Sequence, residues 1–161
     1  MAKVINTEIE SRAVGTSYSL WQIALVGLVL GVLYWCLAGS IENYIIDPIF
    51  CRSISNAMAC LNSASISGDI ATILVATVGV IVILRLYMAR PLVIALAVGV
   101  SLWGLSQWTS GLAWGEAIAW SALLYGLAYT LFSWIARYKR FTLVLIAIVL
   151  VIFAVRFAVN L

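Results

Sequence analysis

Five long apolar runs divide this chain, and most of what it can fold into follows from them. They cover residues 18–37, 69–88, 92–108, 114–136 and 141–159. Each run is close to or above the ~18–20 residues that a helix needs to cross a hydrocarbon core of about 30 Å. Open strands cannot cross lipid with unpaired backbone groups, so each run predicts a helix. The sequence therefore predicts an all-α fold, a polytopic integral membrane bundle of about five transmembrane helices that forms a single domain.

The basic residues are sorted to one side of these runs. When the connections are numbered alternately, seven of the nine Lys and Arg residues fall on one side, and only Arg52 and Arg156 fall on the other. The positive-inside rule then predicts a multi-pass protein of the cell membrane with a cytoplasmic N-terminus and an extracytoplasmic C-terminus. We expect residues 1–17 to form a cytoplasmic tail and residues 40–68 to form an extracytoplasmic loop.

The composition excludes a soluble globular domain. Apolar residues make up 65% of the chain and charged residues only 9%, whereas soluble domains carry about a quarter charged residues. The net charge of +3 is explained by basic residues beside the spans, where they meet anionic lipid head groups. We therefore expect the lipid bilayer to be the principal partner, and we expect no nucleic-acid binding.

The first run has two interpretations. A signal peptide would need a positive N-terminal region, but Glu8 and Glu10 offset Lys3 and Arg12. The run is also longer than the ~7–15 apolar residues of a signal peptide. Small residues at 38–40 resemble a cleavage site, so removal is the alternative. An uncleaved helix is the preferred interpretation.

The outer loop contains a second amphipathic pattern. Within residues 54–61, apolar side chains recur at i, i+3, i+4 and i+7, which predicts a short extracytoplasmic amphipathic helix on the membrane surface or against the bundle. Asp47-Pro48 is expected to end the first helix. Ser67-Gly68-Asp69 is expected to cap the second span.

Two of the three cysteines, Cys51 and Cys60, lie in this loop, while Cys36 lies in the first run. A disulfide between them would stabilise the fold by roughly 2–3 kcal/mol on the chain-entropy model. In one continuous helix their Cα atoms would stand ~13.5 Å apart, beyond the ~7 Å that a disulfide tolerates, so the bridge requires Cys51 to lie in a turn. Free or intermolecular thiols are the alternative. The absence of a C-x-x-C motif makes thiol-redox catalysis a weak hypothesis.

The inventory of catalytic side chains is small. The chain has no histidine, which excludes Ser-His or Cys-His nucleophilic sites and His-ligated metal or haem. None of the six carboxylates falls near a predicted mid-membrane position, which argues against proton-coupled transport. We expect no catalytic residue, no cofactor and no metal site.

An ion pair is predicted near the outer interface. Arg156 lies about 15 residues, or ~22 Å, into the fifth run. Glu116 opens the fourth run and Glu42 follows the first, so either carboxylate is expected at a similar depth. A contact of Arg156 with lipid phosphate or with another subunit is the alternative.

Small residues predict where helices touch. Gly27 and Gly31 form a G-x-x-x-G motif in the first run, and Ala122 and Gly126 begin a similar small-residue stripe in the fourth. Such motifs allow two helix backbones to approach closely. We expect them to pack this chain's own bundle, with a contact to a partner helix as the alternative.

Aromatic residues suggest one further site. Trp103 and Trp120 flank the hairpin between the third and fourth runs, and with Tyr125 they form a candidate groove for a lipid tail, a quinone or a partner helix. Simple packing of these rings is the plainer interpretation.

These observations favour a small non-enzymatic protein, an accessory, assembly or scaffold subunit of a membrane complex. Its expected partner is another membrane protein or a second copy of the chain. A small oligomeric transporter or channel, with its pore between protomers, is the alternative. A membrane thiol-redox or quinone-binding protein is a third hypothesis.

Overall fold

The computed structural model describes residues 20–51, 60–86, 90–136 and 141–159. Within those ranges the regular structure is helical and contains no strand, which confirms the predicted all-α bundle. A π-helical segment, Glu42–Ile46, joins the first two helices. The α-helices are α1 (Leu20–Ile41), α2 (Asp47–Phe50), α3 (Ser63–Arg85), α4 (Pro91–Ser101), α5 (Leu105–Thr109), α6 (Trp114–Ala136) and α7 (Phe141–Val159).

Three helical stretches are long and apolar enough to cross a membrane: Leu20–Ile49, Ser63–Arg85 and Trp114–Ala136. The second and third have 23 residues each, or ~35 Å of helix. The described side chains of α7, residues 144–155, form a shorter apolar stretch. The described residues thus contain three helices that are long and apolar enough to be spans, against about five predicted.

The third apolar run is interrupted, which the sequence analysis did not foresee. Helix α4 has 11 residues and rises only ~17 Å. Gly104 then adopts a left-handed conformation with φ of 85°, which glycine reaches without the steric cost that a Cβ would bring. The five-residue α5 follows. Residues 91–109 therefore form two short helices joined by a turn.

The helix boundaries around the predicted loop at residues 40–68 differ from those expected. The first helix continues through the π-helical segment and α2 as far as Phe50. Pro48 does not stop it: Pro48 lies at the start of α2, directly after the π-helical segment, and the backbone stays helical to Phe50. Helix α3 begins at Ser63, so Gly68 and Asp69 lie inside it and do not cap it. The expected cytoplasmic tail and most of the amphipathic helix at 54–61 lie outside the described residues.

Helix α1 makes the most extensive helix–helix contact of the described bundle. It packs most extensively on α6 and also on α3. Helix α4 lies against both α3 and α6, and α7 lies against both α4 and α6. Large apolar and aromatic side chains fill the space between these helices. The most deeply buried of them include Ile23, Leu30, Tyr34, Val75, Ile94, Val98, Tyr125, Tyr129, Phe132 and Val144.

Candidate functional site

The closest helix approach in the described bundle joins α1 to α6. A Cβ added to Gly27 would lie 2.7 Å from the Cα atom of Gly126. A Cβ added to Gly31 would lie 2.5 Å from the Cα atom of Ala122 and 2.5 Å from the carbonyl oxygen of Ser121. These neighbours are backbone atoms, so a side chain at either glycine would force the two helices apart.

The structure therefore brings together the four residues that the sequence singled out for helix contact. Because the G-x-x-x-G motif is covered by α6 of the same chain, it serves the chain's own fold. Helix α1 is thereby held against α6, which carries more buried hydroxyl groups than any other described helix.

Those hydroxyl groups form a cluster where α1, α3, α5 and α6 meet. The rings of Tyr34 and Tyr125 have centroids 5.3 Å apart, and both side chains are almost fully buried. Thr72 donates its hydroxyl proton to the carbonyl oxygen of Gly68 at 2.9 Å. A Cβ at Gly68 would collide with the Ser106 side chain and lie 3.1 Å from the Tyr34 hydroxyl. Glycine at position 68 thus lets two hydroxyl groups lie against the backbone of α3.

A second contact of this kind lies deeper in the bundle. The hydroxyl group of Tyr129 lies against Gly79 of α3, where an added Cβ would collide with it. Ser121, Tyr125, Tyr129 and Ser133 are all buried on α6 and recur at every fourth position, which places them on one inward helix face. The hydroxyl oxygens of Ser121 and Tyr129 make no hydrogen bond within the described residues.

The chemistry of this buried hydroxyl cluster is limited. Serine, threonine and tyrosine hydroxyls are neutral hydrogen-bonding groups, and each needs a base beside it to act as a nucleophile. Among the residues that the structure describes, no three His, Cys, Asp or Glu side chains are grouped so that they could hold a metal ion. The contacts between Tyr34 and Tyr125 and of Ser106 and Tyr34 with Gly68 fix the relative positions of the helices.

Polar contacts also tie the ends of these helices together. The hydroxyl of Ser63 donates to Oε1 of Glu42 at 3.1 Å, which links the π-helical segment to the first residue of α3. Nε2 of Gln107 donates to the Ser65 hydroxyl at 3.0 Å, which links α5 to the same turn. Both contacts hold α3 in register with its neighbours.

Only the two carboxylates of the predicted ion pair lie within the described residues. Glu42 is engaged by Ser63 as above, and Glu116 is exposed in the first turn of α6. The side chain of Arg156 lies outside the described residues. The pairing of Arg156 with either carboxylate therefore stays a prediction.

The two loop cysteines lie close together. Cys51 is the turn residue that directly follows α2, as a bridge requires. Its Cα atom stands 5.2 Å from that of Cys60, and the two sulfur atoms are at disulfide distance. Cys36 is exposed on α1. The Cys51–Cys60 pair joins the end of the first long helix to the segment that leads into α3.

Of the predicted aromatic groove, Trp103 and Trp120 line neighbouring cavities on the flank of the bundle, whereas Tyr125 is buried away from them. Trp103 lines a cavity of about 280 Å³ between α3 and α4, whereas Trp120 lines another of about 250 Å³ beside α5. Tyr125 belongs to the buried hydroxyl cluster. Five residues along an α-helix correspond to a rotation of roughly 140°, so Trp120 and Tyr125 cannot share one face of α6.

The cavities themselves lie on the flanks of the bundle and are apolar. The cavity between α3 and α4 is lined in part by small residues, among them Ala76 and Gly99. A third cavity, of about 360 Å³, lies between α6, α7 and the end of α4. Sequence reasoning missed these cavities because they depend on which helix faces pack against each other. Sequence reasoning also missed the buried hydroxyl cluster. The four-residue spacing of hydroxyl side chains from Ser121 to Ser133 could have indicated it.

Comparison of the chain with known protein families, with curated proteins and with solved structures gives no match.

Proposed function

We propose that this chain is a small non-enzymatic integral membrane protein, an accessory, assembly or scaffold subunit of a membrane complex. The observation that carries the proposal is the contrast between the buried hydroxyl groups and the exposed apolar side chains of the described residues. Hydroxyl side chains on three of the long helices are buried, among them those of Tyr34, Thr72, Ser121, Tyr125, Tyr129 and Ser133, while large apolar side chains are exposed on every long helix. Examples with 60–66% exposure are Val29 on α1, Ile81 on α3, Leu127 on α6 and Leu150 on α7.

This surface suits a hydrocarbon environment. Contiguous exposed apolar patches mark contact with lipid or with another protein, and here such side chains occupy four helices. Within a bilayer the surface can act on another molecule only through shape and apolar packing, supplemented by the flanking cavities. Association with other membrane helices is the activity that such a surface supports.

The interior of a single bundle supports transport less well. Backbone atoms of α1 and α6 are in contact at Gly27 and Gly31, and Tyr34, Tyr125 and Tyr129 fill the space beside them. A solute would have to displace these side chains in order to pass between the helices. The packing therefore favours a scaffold.

The second candidate is a small oligomeric transporter, and the interrupted third run favours it. Broken helices in transporters mark substrate sites, because the freed backbone groups can bind solutes. Here the break lies at the left-handed Gly104, beside a cavity of about 70 Å³ that Ser101, Trp108 and Leu124 help to line. A pore in this case would lie between protomers.

We further propose that the chain crosses the cell membrane five times, with its N-terminus in the cytoplasm. The three long apolar helices account for three of these crossings. The fourth and fifth would be residues 91–109, as an interrupted crossing, and α7. The basic residues support this orientation, since Arg85 at the end of α3 and Arg90 before α4 fall on the side that the positive-inside rule assigns to the cytoplasm.

Purification of the full chain from its native membranes in mild detergent tests the functional proposal. We expect a second, different subunit in fixed stoichiometry, identified by mass spectrometry and counted from the mass of the complex. A symmetric homo-oligomer without a foreign subunit would contradict the scaffold proposal and support the transporter. A monomer free of partners would contradict both.

Four matched variants locate the contact. Val29→Trp, Ile81→Trp, Leu127→Trp and Leu150→Trp each add bulk at one exposed position on a different helix. We expect one of them to lower the retained partner about tenfold or more and the others to retain it, so that each variant controls for the effect of a new tryptophan. Equal retention by all four would mean that none of these faces meets the partner.

A further inference from the structure

No further inference is drawn: the strongest candidate, the apolar groove of about 280 Å³ between α3 and α4 that Thr72, Ala76, Gly99 and Trp103 help to line, carries nothing because no feature of the described residues shows what covers it.

Discussion

Replacing Gly31 by alanine should weaken the contact between α1 and α6 more than its single added methyl group would suggest. The new Cβ would lie 2.5 Å from both the Cα atom of Ala122 and the carbonyl oxygen of Ser121, whereas carbon atoms in favourable contact stand about 3.5–4.0 Å apart. The helices would have to separate by roughly 1 Å at their crossing, because backbone atoms cannot rotate away.

The expected cost follows from two opposing effects. Overpacking of a filled core costs about 1–3 kcal/mol. Alanine also has a higher helix propensity than glycine, which offsets up to about 1 kcal/mol. We therefore expect Gly31→Ala to lower the free energy of unfolding by up to about 2 kcal/mol, and by about 1–3 kcal/mol relative to a glycine-to-alanine change in α1 that meets no clash.

Gly39→Ala is the matched control. Gly39 lies on the same helix, but an added Cβ there would meet nothing within 4 Å. Only the propensity effect should remain, so this variant should equal the wild type or exceed its stability by up to about 1 kcal/mol. The comparison separates close packing from any general effect of replacing a glycine in α1.

The measurement is equilibrium unfolding of the full chain in mixed micelles with increasing dodecyl sulfate, followed by circular dichroism and tryptophan fluorescence. Adding Ala122→Gly to Gly31→Ala should not restore stability, because the atom in conflict is the Cα of residue 122 and not its side chain. If Gly31→Ala proved as stable as Gly39→Ala, the close crossing would be refuted. Full rescue by Ala122→Gly would show instead that only a side chain was in the way.

Three further outcomes are expected. Gly79→Ala should destabilise the bundle because its Cβ collides with the Tyr129 hydroxyl, and adding Tyr129→Phe should remove that collision. Additive effects of the two changes, with a coupling below about 0.5 kcal/mol in the double-variant cycle, would argue against the contact. Cys51 and Cys60 should resist maleimide without reductant and react together after reduction, and labelling of Cys51 alone without reductant would exclude the intrachain bridge. Reporters fused to the two ends should place the N-terminus in the cytoplasm and the C-terminus outside; two ends on one side would mean an even number of crossings.

Sequence reasoning was most effective where one physical requirement dominates. A long apolar run has few stable forms other than a helix in lipid, because its backbone polar groups need partners within the segment. The helical class and the three full-length spans follow from that requirement. The small residues at Gly27 and Gly31 also follow a local rule, since close helix approach needs residues without bulky side chains.

Element boundaries depended on contacts that the local pattern does not encode. Asp47-Pro48 is typical of a helix end, yet the chain continues in helical form through Phe50, with Ile46 buried at 3% exposure and Glu42 bonded to Ser63. The third run is as apolar as its neighbours, but its left-handed turn at Gly104 was not anticipated, because an isolated glycine in an apolar helix is often tolerated.

Only the tertiary structure decided which residues of two neighbouring helices face each other. The hydroxyls on α6 predict an inward stripe, but only the packed bundle brings Tyr129 against Gly79 and places Ser106 and Tyr34 against Gly68. Of the candidate groove, Tyr125 is buried in the bundle while Trp103 and Trp120 line cavities on its flank, since nearness in sequence does not set the direction in which a side chain points from a helix. Hydropathy and charge act locally and can be read along the chain. Which helix faces meet depends on the packing of all the helices at once, because the residues that face each other on two helices must fit in size.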